Sequence, residues 1–188
     1  AQLLEERLHE VLGLTAGNNP DSIGSEQDLN EYLDGIAELL RPVAARRGLA
    51  IHAEAPAERV MLDTGLLTPV LVNLAANAIA ATHQGMVRLS AQVTENDGTS
   101  WTVADSGSGL PAAVAAAFAS AEYHDGTAPG MSGLGLGLTL VLANLQALGG
   151  RLRVVSTSST GTELQITLPP CRQTGVWRRV RTSSVNQP

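Results

Sequence analysis

The chain has 188 residues, of which 44% are hydrophobic and only 3% aromatic, and its formal net charge is −6. This length suffices for one sizeable core with a short attachment. A core made mostly of Ala, Leu and Val favours helices packed on a sheet over an aromatic-rich β-sandwich. An acidic chain lacks the clustered basic face that phosphate backbones require, which argues against nucleic acid as the main partner.

The basic and sulfur-containing residues narrow the class further. All 12 basic residues are arginine, so the phosphate sites that depend on a P-loop lysine or on the strand lysine of eukaryotic-type kinases are excluded. The single cysteine, Cys171, permits no internal disulfide and favours a cytoplasmic location. No apolar run reaches the length of a bilayer span and no signal peptide is visible, so we expect no membrane contact by this segment.

Hydrophobic spacing predicts three helices and two brief strands in the first 81 residues. Residues 1–16 have the apolar spacing of a short helix, which the loop from Gly17 ends. A second helix is predicted from Ser25, as a cap with Asp28 three residues on, to about Arg47. Brief strands at 49–53 and 59–62 are followed by an apolar helix over 64–81.

Alternating residues predict a hairpin in the middle of the chain. Strands over 87–94 and 101–104 flank an Asn-Asp-Gly turn and deliver Asp105 to a strand end. The remaining predictions are a short helix over 111–119, a mobile loop over 120–132, a helix over 138–148, strands over 151–156 and 163–168, and a disordered tail.

Two asparagines lie in the apolar helix predicted over 64–81. Asn73 and Asn77 are four residues apart and therefore project from one helix face. Asparagine is unfavourable there, because a buried amide must find hydrogen-bond partners. The pair is consistent with a structural contact that closes the helix against a loop, or with an amide oxygen that binds Mg²⁺.

Two glycine-bearing strings follow. Asp105 opens the sequence Asp-Ser-Gly-Ser-Gly, where a carboxylate could accept a hydrogen bond from an exocyclic amine and the glycines permit close ligand approach. The second string, Gly133 to Leu138, leads into a helix, so its free amides and the positive helix end could face phosphate. Each string alone is equally typical of a turn or a glycine hinge.

The three motifs in this order resemble those of the catalytic and ATP-binding domain of bacterial sensor histidine kinases. This domain belongs to a wider superfamily that includes gyrase, MutL and heat-shock chaperone ATPases. The resemblance extends from about Asp28 to Pro169. It implies a two-layer α/β sandwich, with a mixed sheet and helices on one face, preceded by a short helical segment. The domains implied are the end of a dimerisation helix and linker at 1–20, the catalytic domain at 21–170 and a tail at 171–188.

The resemblance also implies the site, with ATP and Mg²⁺ as cofactors. Asn77 would hold the metal, Asp105 would bind the adenine amine, and the second glycine string would form the lid beside Phe118. The residues implied in nucleotide binding are Asn73, Asn77, Asp105, Gly107, Gly109, Leu110, Gly133, Leu134, Gly135, Leu136, Gly137, Leu138 and Thr162.

The chain departs from the family pattern at three points. Ala80 and Ala81 occupy positions where the family often has a lysine and an aromatic residue. Between Phe118 and Gly133 the only candidate cation is His124, which is mostly neutral at pH 7. These departures predict weak nucleotide binding.

Two residues bear on the reaction. Hydrolytic members of the superfamily place a glutamate where this chain has Asn73, and an amide cannot act as a general base, which favours phosphoryl transfer over hydrolysis. His9 is followed by Glu10 like a phosphoacceptor pair, but too little chain separates it from Asn77 for the family's helical hairpin. We expect the acceptor histidine to lie outside this segment.

The sequence therefore predicts the catalytic domain of a sensor histidine kinase. The expected partners are a dimerisation and phosphoacceptor domain, within a homodimer that could be anchored in the inner membrane, and the receiver domain of a response regulator. The alternatives are a degenerate, non-catalytic scaffold for docking or phosphotransfer, an anti-sigma-factor serine kinase of the same fold, and an unrelated α/β interaction domain.

Overall fold

The computed structural model describes residues 24–112, 114–115 and 135–171. The predicted helix over 1–16, the loop over 120–132 and the tail from 172 lie outside the described residues, as does most of the helix predicted over 111–119. The elements in chain order are β1 (Ser25–Asp28), α1 (Leu29–Ala45), β2 (Ala50–Glu54), β3 (Arg59–Leu62), α2 (Thr64–Ala81), β4 (Met86–Val93), β5 (Thr99–Asp105), α3 (Gly135–Ala147), β6 (Arg151–Ser158) and β7 (Gly161–Leu168).

Five strands form the main sheet in the order β2-β4-β5-β7-β6. β2 runs parallel to β4, and the other neighbours are antiparallel. Along β4, Val87 and Leu89 are buried while Met86 and Arg88 are exposed, because only one face is covered by helices. The predicted two-layer sandwich with a mixed sheet is confirmed.

The first helix begins later than the sequence suggested. Ser25 and Asp28 lie in β1, which pairs with β3 in a separate two-stranded sheet, so the prediction of Ser25 as a cap is wrong. The Asp28 carboxylate is the actual N-cap and accepts the N–H groups of Asn30 and Glu31 at 3.0 and 3.1 Å. Residues 25–28, immediately before α1, are therefore part of a strand and not of the helix.

The helix α2 has the predicted bounds and forms the centre of the helical layer. It is long and apolar enough to cross a membrane, so the expectation that no run reaches that length is wrong. Half of its residues are nevertheless buried inside the protein, against α1, α3 and the sheet. Its apolar character is that of a core helix.

The core is mainly aliphatic, as the composition predicted, with one aromatic pair. Trp101 is fully buried in β5 and donates its indole N–H to Thr99 Oγ1 at 2.8 Å. Tyr32 of α1 meets it edge to face, with ring centroids 5.7 Å apart and an interplanar angle of 82°. This pair joins the helical layer to the sheet.

Helix α3 begins within the second glycine string. It starts at Gly135, three residues before the predicted start, and ends before Gly149, which has a φ of +65°. It is followed by the β6–β7 hairpin, whose strands extend closer to the turn than predicted. Gly135 and Gly137 are therefore helical residues.

Candidate nucleotide site

The two asparagines of α2 have different surroundings. Asn73 is half-buried, and its Nδ2 donates to the carbonyl oxygen of Pro69 at 2.8 Å. Asn77 is exposed, and no hydrogen bond links its amide to another residue in the described part of the chain. The amide oxygen of Asn77 is thus available to a ligand, while Asn73 is held by its own helix.

Asp105 is the last residue of β5, and backbone amides fix its side chain. The carboxylate accepts the N–H of Gly107 at 2.8 Å and is also bonded by the backbone of Thr162. Burial raises the pKa of Asp105 above the ordinary aspartate value, although both backbone hydrogen bonds act in the opposite direction. The group is a positioned acceptor that is partly removed from water.

The glycine turn after β5 packs directly on the end of α2. A Cβ at Gly107 would lie 2.6 Å from the carbonyl oxygen of Ala81. The Ser108 N–H donates to that same oxygen at 3.4 Å. Only glycine permits this approach, which brings the Asp105 turn against the helix that carries Asn77.

The same turn packs on the β6–β7 hairpin from the other side. Gly109 has a φ of +81°, and a Cβ there would collide with the Ser158 carbonyl oxygen. Gly161 has a φ of +144°, and its Cβ would collide with the carbonyl oxygen of Asp105. Both glycines are required by backbone contacts and by positive φ.

Hydroxyl groups of the hairpin complete this side of the site. The Leu110 N–H donates to Thr157 Oγ1 at 2.8 Å, and Thr157 Oγ1 lies 3.5 Å from Thr162 Oγ1. Thr162 is 5% exposed and pairs with Asp105 across the strands. The hairpin therefore contacts both ends of the glycine turn.

The second glycine string is brought to α2 as well. A Cβ at Gly137 would lie 2.9 Å from Asn73 Oδ1, so glycine allows α3 to approach the asparagine helix. Leu138 is buried in the core rather than exposed in a loop. Gly135 and Leu136 lie in the first turn of α3, and Gly133 and Leu134 lie outside the described residues.

The end of α2 carries no cation of its own. Ala80 is exposed, and its carbonyl oxygen accepts Arg47 Nη2 of the α1 terminus at 3.1 Å. An arginine at this position is favourable, because it satisfies a free carbonyl at the negative end of the helix. Phe118 and His124 lie outside the described residues.

The donor set suits a metal that is bound together with phosphate. Among the described residues, no group of three or more His, Cys, Asp or Glu side chains could hold a metal ion. Asn77 offers one neutral oxygen, and Mg²⁺ in phosphate sites commonly takes one or two protein oxygens with water and phosphate oxygens. The exposed Asn77 amide fits this mode of binding.

An open cleft lies on the outer side of the glycine turn. It is lined by His83, Gln84, Ser106, Gly107, Ser108 and Ser159. Ser106 Oγ accepts the Met86 N–H at 3.1 Å and donates to the Gln84 carbonyl oxygen at 3.0 Å. Ser106 thus ties the end of β5 to the start of β4 and holds the turn from outside.

Three contributing residues were missed by the sequence analysis. Ser106, Thr157 and Arg47 all act through contacts with residues at least 20 positions away. The run of hydroxyl residues from Ser156 to Thr160 was visible in the sequence, but it gave no indication of its partner.

The five-stranded mixed sheet and the helix that carries both asparagines, which is approached by Gly107 and Gly137, can now be compared with known proteins. The chain matches the model of the family described as histidine kinase-, DNA gyrase B-, and HSP90-like ATPase over residues 62–172. The match includes more than half of the chain. The chain belongs to this family.

Curated relatives place it in the histidine kinase branch. It is 32% identical over 155 residues to the autoinducer 2 sensor kinase/phosphatase LuxQ of Vibrio cholerae, across 77% of this chain and 18% of that protein. It is 32% identical over 146 residues to the sensor histidine kinase ZraS of Salmonella typhimurium, across 76% of this chain and 30% of that protein. The chain thus spans less than a third of the length of these two relatives.

A solved structure also supports membership of the histidine kinase branch. The chain is similar to full-length ShkA, solved in complex with AMPPNP, with a TM-score of 0.63 and 26% identity over 80% of this chain and 32% of that one. The described structure is therefore that of a histidine kinase ATPase domain.

Proposed function

We propose that this domain binds Mg²⁺-ATP and transfers its γ-phosphoryl group to a histidine outside the segment, for relay to the receiver domain of a response regulator. The observation that carries the proposal is the convergence of both glycine strings on one helix. Gly107 packs on the end of α2 and Gly137 packs on Asn73 of the same helix. The ShkA structure, which is similar, was solved with the ATP analogue AMPPNP.

In this proposal Asp105 selects the base. A carboxylate anchored by the amides of Gly107 and Thr162 accepts an N–H of the adenine 6-amino group. Guanine has an oxygen at that position, and two acceptors would face each other without a proton. The partial burial of Asp105 makes such a mismatch costly.

Asn77 and the start of α3 would serve the phosphates. Bound Mg²⁺ would neutralise charge on the phosphate oxygens, and Asn77 would hold it through the exposed amide oxygen. The amides at the start of α3 add the positive end of a helix dipole. With no lysine in the chain, phosphate positioning depends on these groups.

The residues near the phosphates favour transfer over hydrolysis. Asn73 cannot take a proton from water, and its amide is already bonded to the Pro69 carbonyl oxygen. The domain would hold ATP until a dimerisation domain presents the acceptor histidine, in a homodimer whose catalytic domain, at 21–170, lies in the cytoplasm. His9 does not serve as the acceptor in this proposal.

Calorimetric titration of the 188-residue chain with a non-hydrolysable ATP analogue tests the site. We expect binding that Mg²⁺ strengthens. Asn77→Ala should remove the Mg²⁺ effect without loss of folding, since alanine is favoured in an exposed helical position. Asp105→Ala should weaken binding about tenfold or more, because hydrogen bonds to charged groups contribute about 1.5–3 kcal/mol.

Asn30→Ala provides the matched control, since Asn30 lies in a helix and bonds only Asp28 and Asp34 among the described residues. It should bind as the wild type does. Absence of wild-type binding up to millimolar nucleotide would contradict the proposal. The transfer itself is tested by autophosphorylation of the full-length protein.

One observation favours a second candidate, a non-catalytic scaffold. Ala80 is exposed beside the site, and the nearby guanidinium of Arg47 is bonded to a backbone carbonyl. With alanine at position 80 and Arg47 bonded to a backbone carbonyl, this part of the site would bind triphosphate weakly. Autophosphorylation of the full-length protein would exclude this candidate.

A further inference from the structure

Arg47 places a guanidinium beside the helix that carries Asn77. It lies in the turn after α1, and its Nη2 donates to the carbonyl oxygen of Ala80 at 3.1 Å. A guanidinium has five N–H donors and no acceptor. In the described part of the chain, the Arg47 side chain forms no other hydrogen bond and no ion pair with a carboxylate. Four donors and the whole charge therefore remain available to a ligand.

The contact with Ala80 places this charge between the two ends of the proposed nucleotide site. Ala80 is three residues after Asn77, so the two are neighbours on one helix face, and both are exposed. The next carbonyl oxygen, that of Ala81, is the one on which the Asp105 turn packs, since it accepts the Ser108 N–H at 3.4 Å. The guanidinium thus lies beyond the metal-binding end of the site and next to the base-binding end.

We infer that Arg47 binds the α-phosphate of the nucleotide, and that the Ala80 carbonyl oxygen positions its guanidinium for this contact. The inference rests on the proposed nucleotide site. The α-phosphate is the one joined to the nucleoside, so it lies between a base at Asp105 and a metal at Asn77. A guanidinium beside it forms charge-assisted hydrogen bonds with its oxygens.

The bond to the carbonyl oxygen does not remove the cation from the site. The scaffold candidate treats this bond as the loss of a positive charge near the phosphates. A carbonyl oxygen, however, occupies one of the five donors and neutralises no charge. Arg47 is held at the helix end and stays fully charged, so it supplies from α1 the charge that Ala80 lacks.

NMR titrations of the 188-residue chain with ADP, AMP and adenosine test the inference, because they measure millimolar dissociation constants. Arg47→Gln removes the charge. It should weaken binding of both ADP and AMP roughly tenfold, since both have the α-phosphate and hydrogen bonds to charged groups are the strong ones. Binding of adenosine, which has no phosphate, should not change.

Arg46→Gln is the matched control. It removes the same charge from the adjacent exposed residue, whose side chain has no hydrogen-bond or ion-pair partner among the described residues. We expect this variant to bind all three ligands as the wild type does. A general effect of net charge would instead weaken ADP binding equally in both variants.

Ala80→Lys in the Arg47→Gln background provides a rescue. Lysine is favourable in an exposed helical position and supplies a charge on the same face as Asn77. It should restore most of the affinity for ADP and AMP. If Arg47 served only to cap the end of α2, the lysine would restore nothing, and adenosine would lose affinity as much as ADP.

The outcomes separate the two proposals. An ADP affinity of Arg47→Gln equal to that of the wild type would overturn the role of Arg47 and leave the nucleotide site standing. A loss that adenosine or Arg46→Gln shares, or that the lysine at position 80 does not restore, would overturn it as well. Failure of the wild type to bind ADP would overturn both proposals.

Discussion

Asp105 combines partial burial with two backbone hydrogen bonds, and this combination links its ionisation to base recognition. Burial raises its pKa, so on acidification Asp105 is protonated at a higher pH than an ordinary aspartate. The protonated acid loses much of its strength as an acceptor for an amine. Because the pKa of Asp105 is higher in the folded protein than in the unfolded chain, this group stabilises the folded state at low pH. That contribution is lost as pH rises through the folded-state pKa.

We therefore predict that affinity for ADP falls on acidification, beginning above the ordinary pKa of aspartate, in a range where this group does not destabilise the fold. The measurement is ADP affinity as a function of pH for the wild type and for Asp105→Asn. The variant should bind more weakly and should lack the Asp105 component of the pH dependence. Protonation of the nucleotide phosphates is common to both proteins, so parallel profiles would contradict the assignment.

Asp105 and Asn77 could be predicted because each stands in a local string with a chemical meaning. Arg47 and Thr157 could not, since they act on residues 33 and 47 positions away. Thr157 is one of several hydroxyl residues in its hairpin. Only the register of β6 against β7 and the packing of Gly109 distinguish it from its neighbours.

Two helical glycines differ in what surrounds them. Gly35 lies on the exposed face of α1, and a Cβ there would have no atom within 4 Å. A Cβ at Gly137 in α3 would lie 2.9 Å from Asn73 Oδ1. The first glycine weakens its helix without a packing function, whereas the second permits close approach of two helices.

We predict that Gly35→Ala raises the free energy of unfolding by about 0.5–1 kcal/mol, because alanine has the better helix propensity. Gly137→Ala should give no such gain, since the new methyl group displaces the Asn73 amide from Pro69. In an Asn73→Ala background the same substitution should stabilise the protein. Denaturant unfolding of the four proteins of this cycle measures the coupling.

A coupling energy near zero would show that Asn73 moves aside without cost. Gly35→Ala serves as the control for propensity alone. If Gly35→Ala itself failed to stabilise, the propensity argument would be wrong for this helical layer, whatever the result at Gly137.

The elements were predictable where local periodicity dominates. The bounds of α2 agree with the sequence because its apolar run is continuous and Asp63 caps it. The predicted starts of α1 and α3 were wrong for different reasons. Pairing with β3 takes residues 25–28 into a strand, and contact with α2 accommodates glycines within a helix.

The order of the strands is a property of the whole chain that local patterns do not contain. The hairpins β4–β5 and β6–β7 join neighbours in sequence, and the central glycine turn predicted the first of them. The parallel pairing of β2 with β4 and the insertion of β7 next to β5 depend on the helices that connect them. Membership of the family, through its motifs, predicted the layers but not each register.

The absence of lysine gives the molecule an unusual alkaline titration. Few groups ionise between pH 10 and 12 in a chain with two tyrosines and no ammonium side chains. Burial raises the pKa of Tyr32 to about 12, although its hydrogen bond with Thr68 acts in the opposite direction. Because the unfolded chain releases this proton first, stability is lost as pH rises from about 10 towards 12.

We predict that this loss reaches about 1.4 kcal/mol by pH 11, the linkage value for a shift from the ordinary pKa of 10.0 to about 12. Tyr32→Phe leaves Thr68 without its 2.8 Å partner and should cost about 1 kcal/mol at pH 8. The variant has no hydroxyl at position 32 to ionise, so it does not lose stability in this way at high pH. The difference in the free energy of unfolding between the two proteins should therefore vanish near pH 11. Denaturant unfolding at both pH values measures it. Cys171 and Tyr123 are present in both proteins, so their ionisation cancels in the comparison. A stability difference that stays constant with pH would contradict the prediction. It would mean that the Tyr32 hydroxyl ionises as freely in the folded protein as in the unfolded chain.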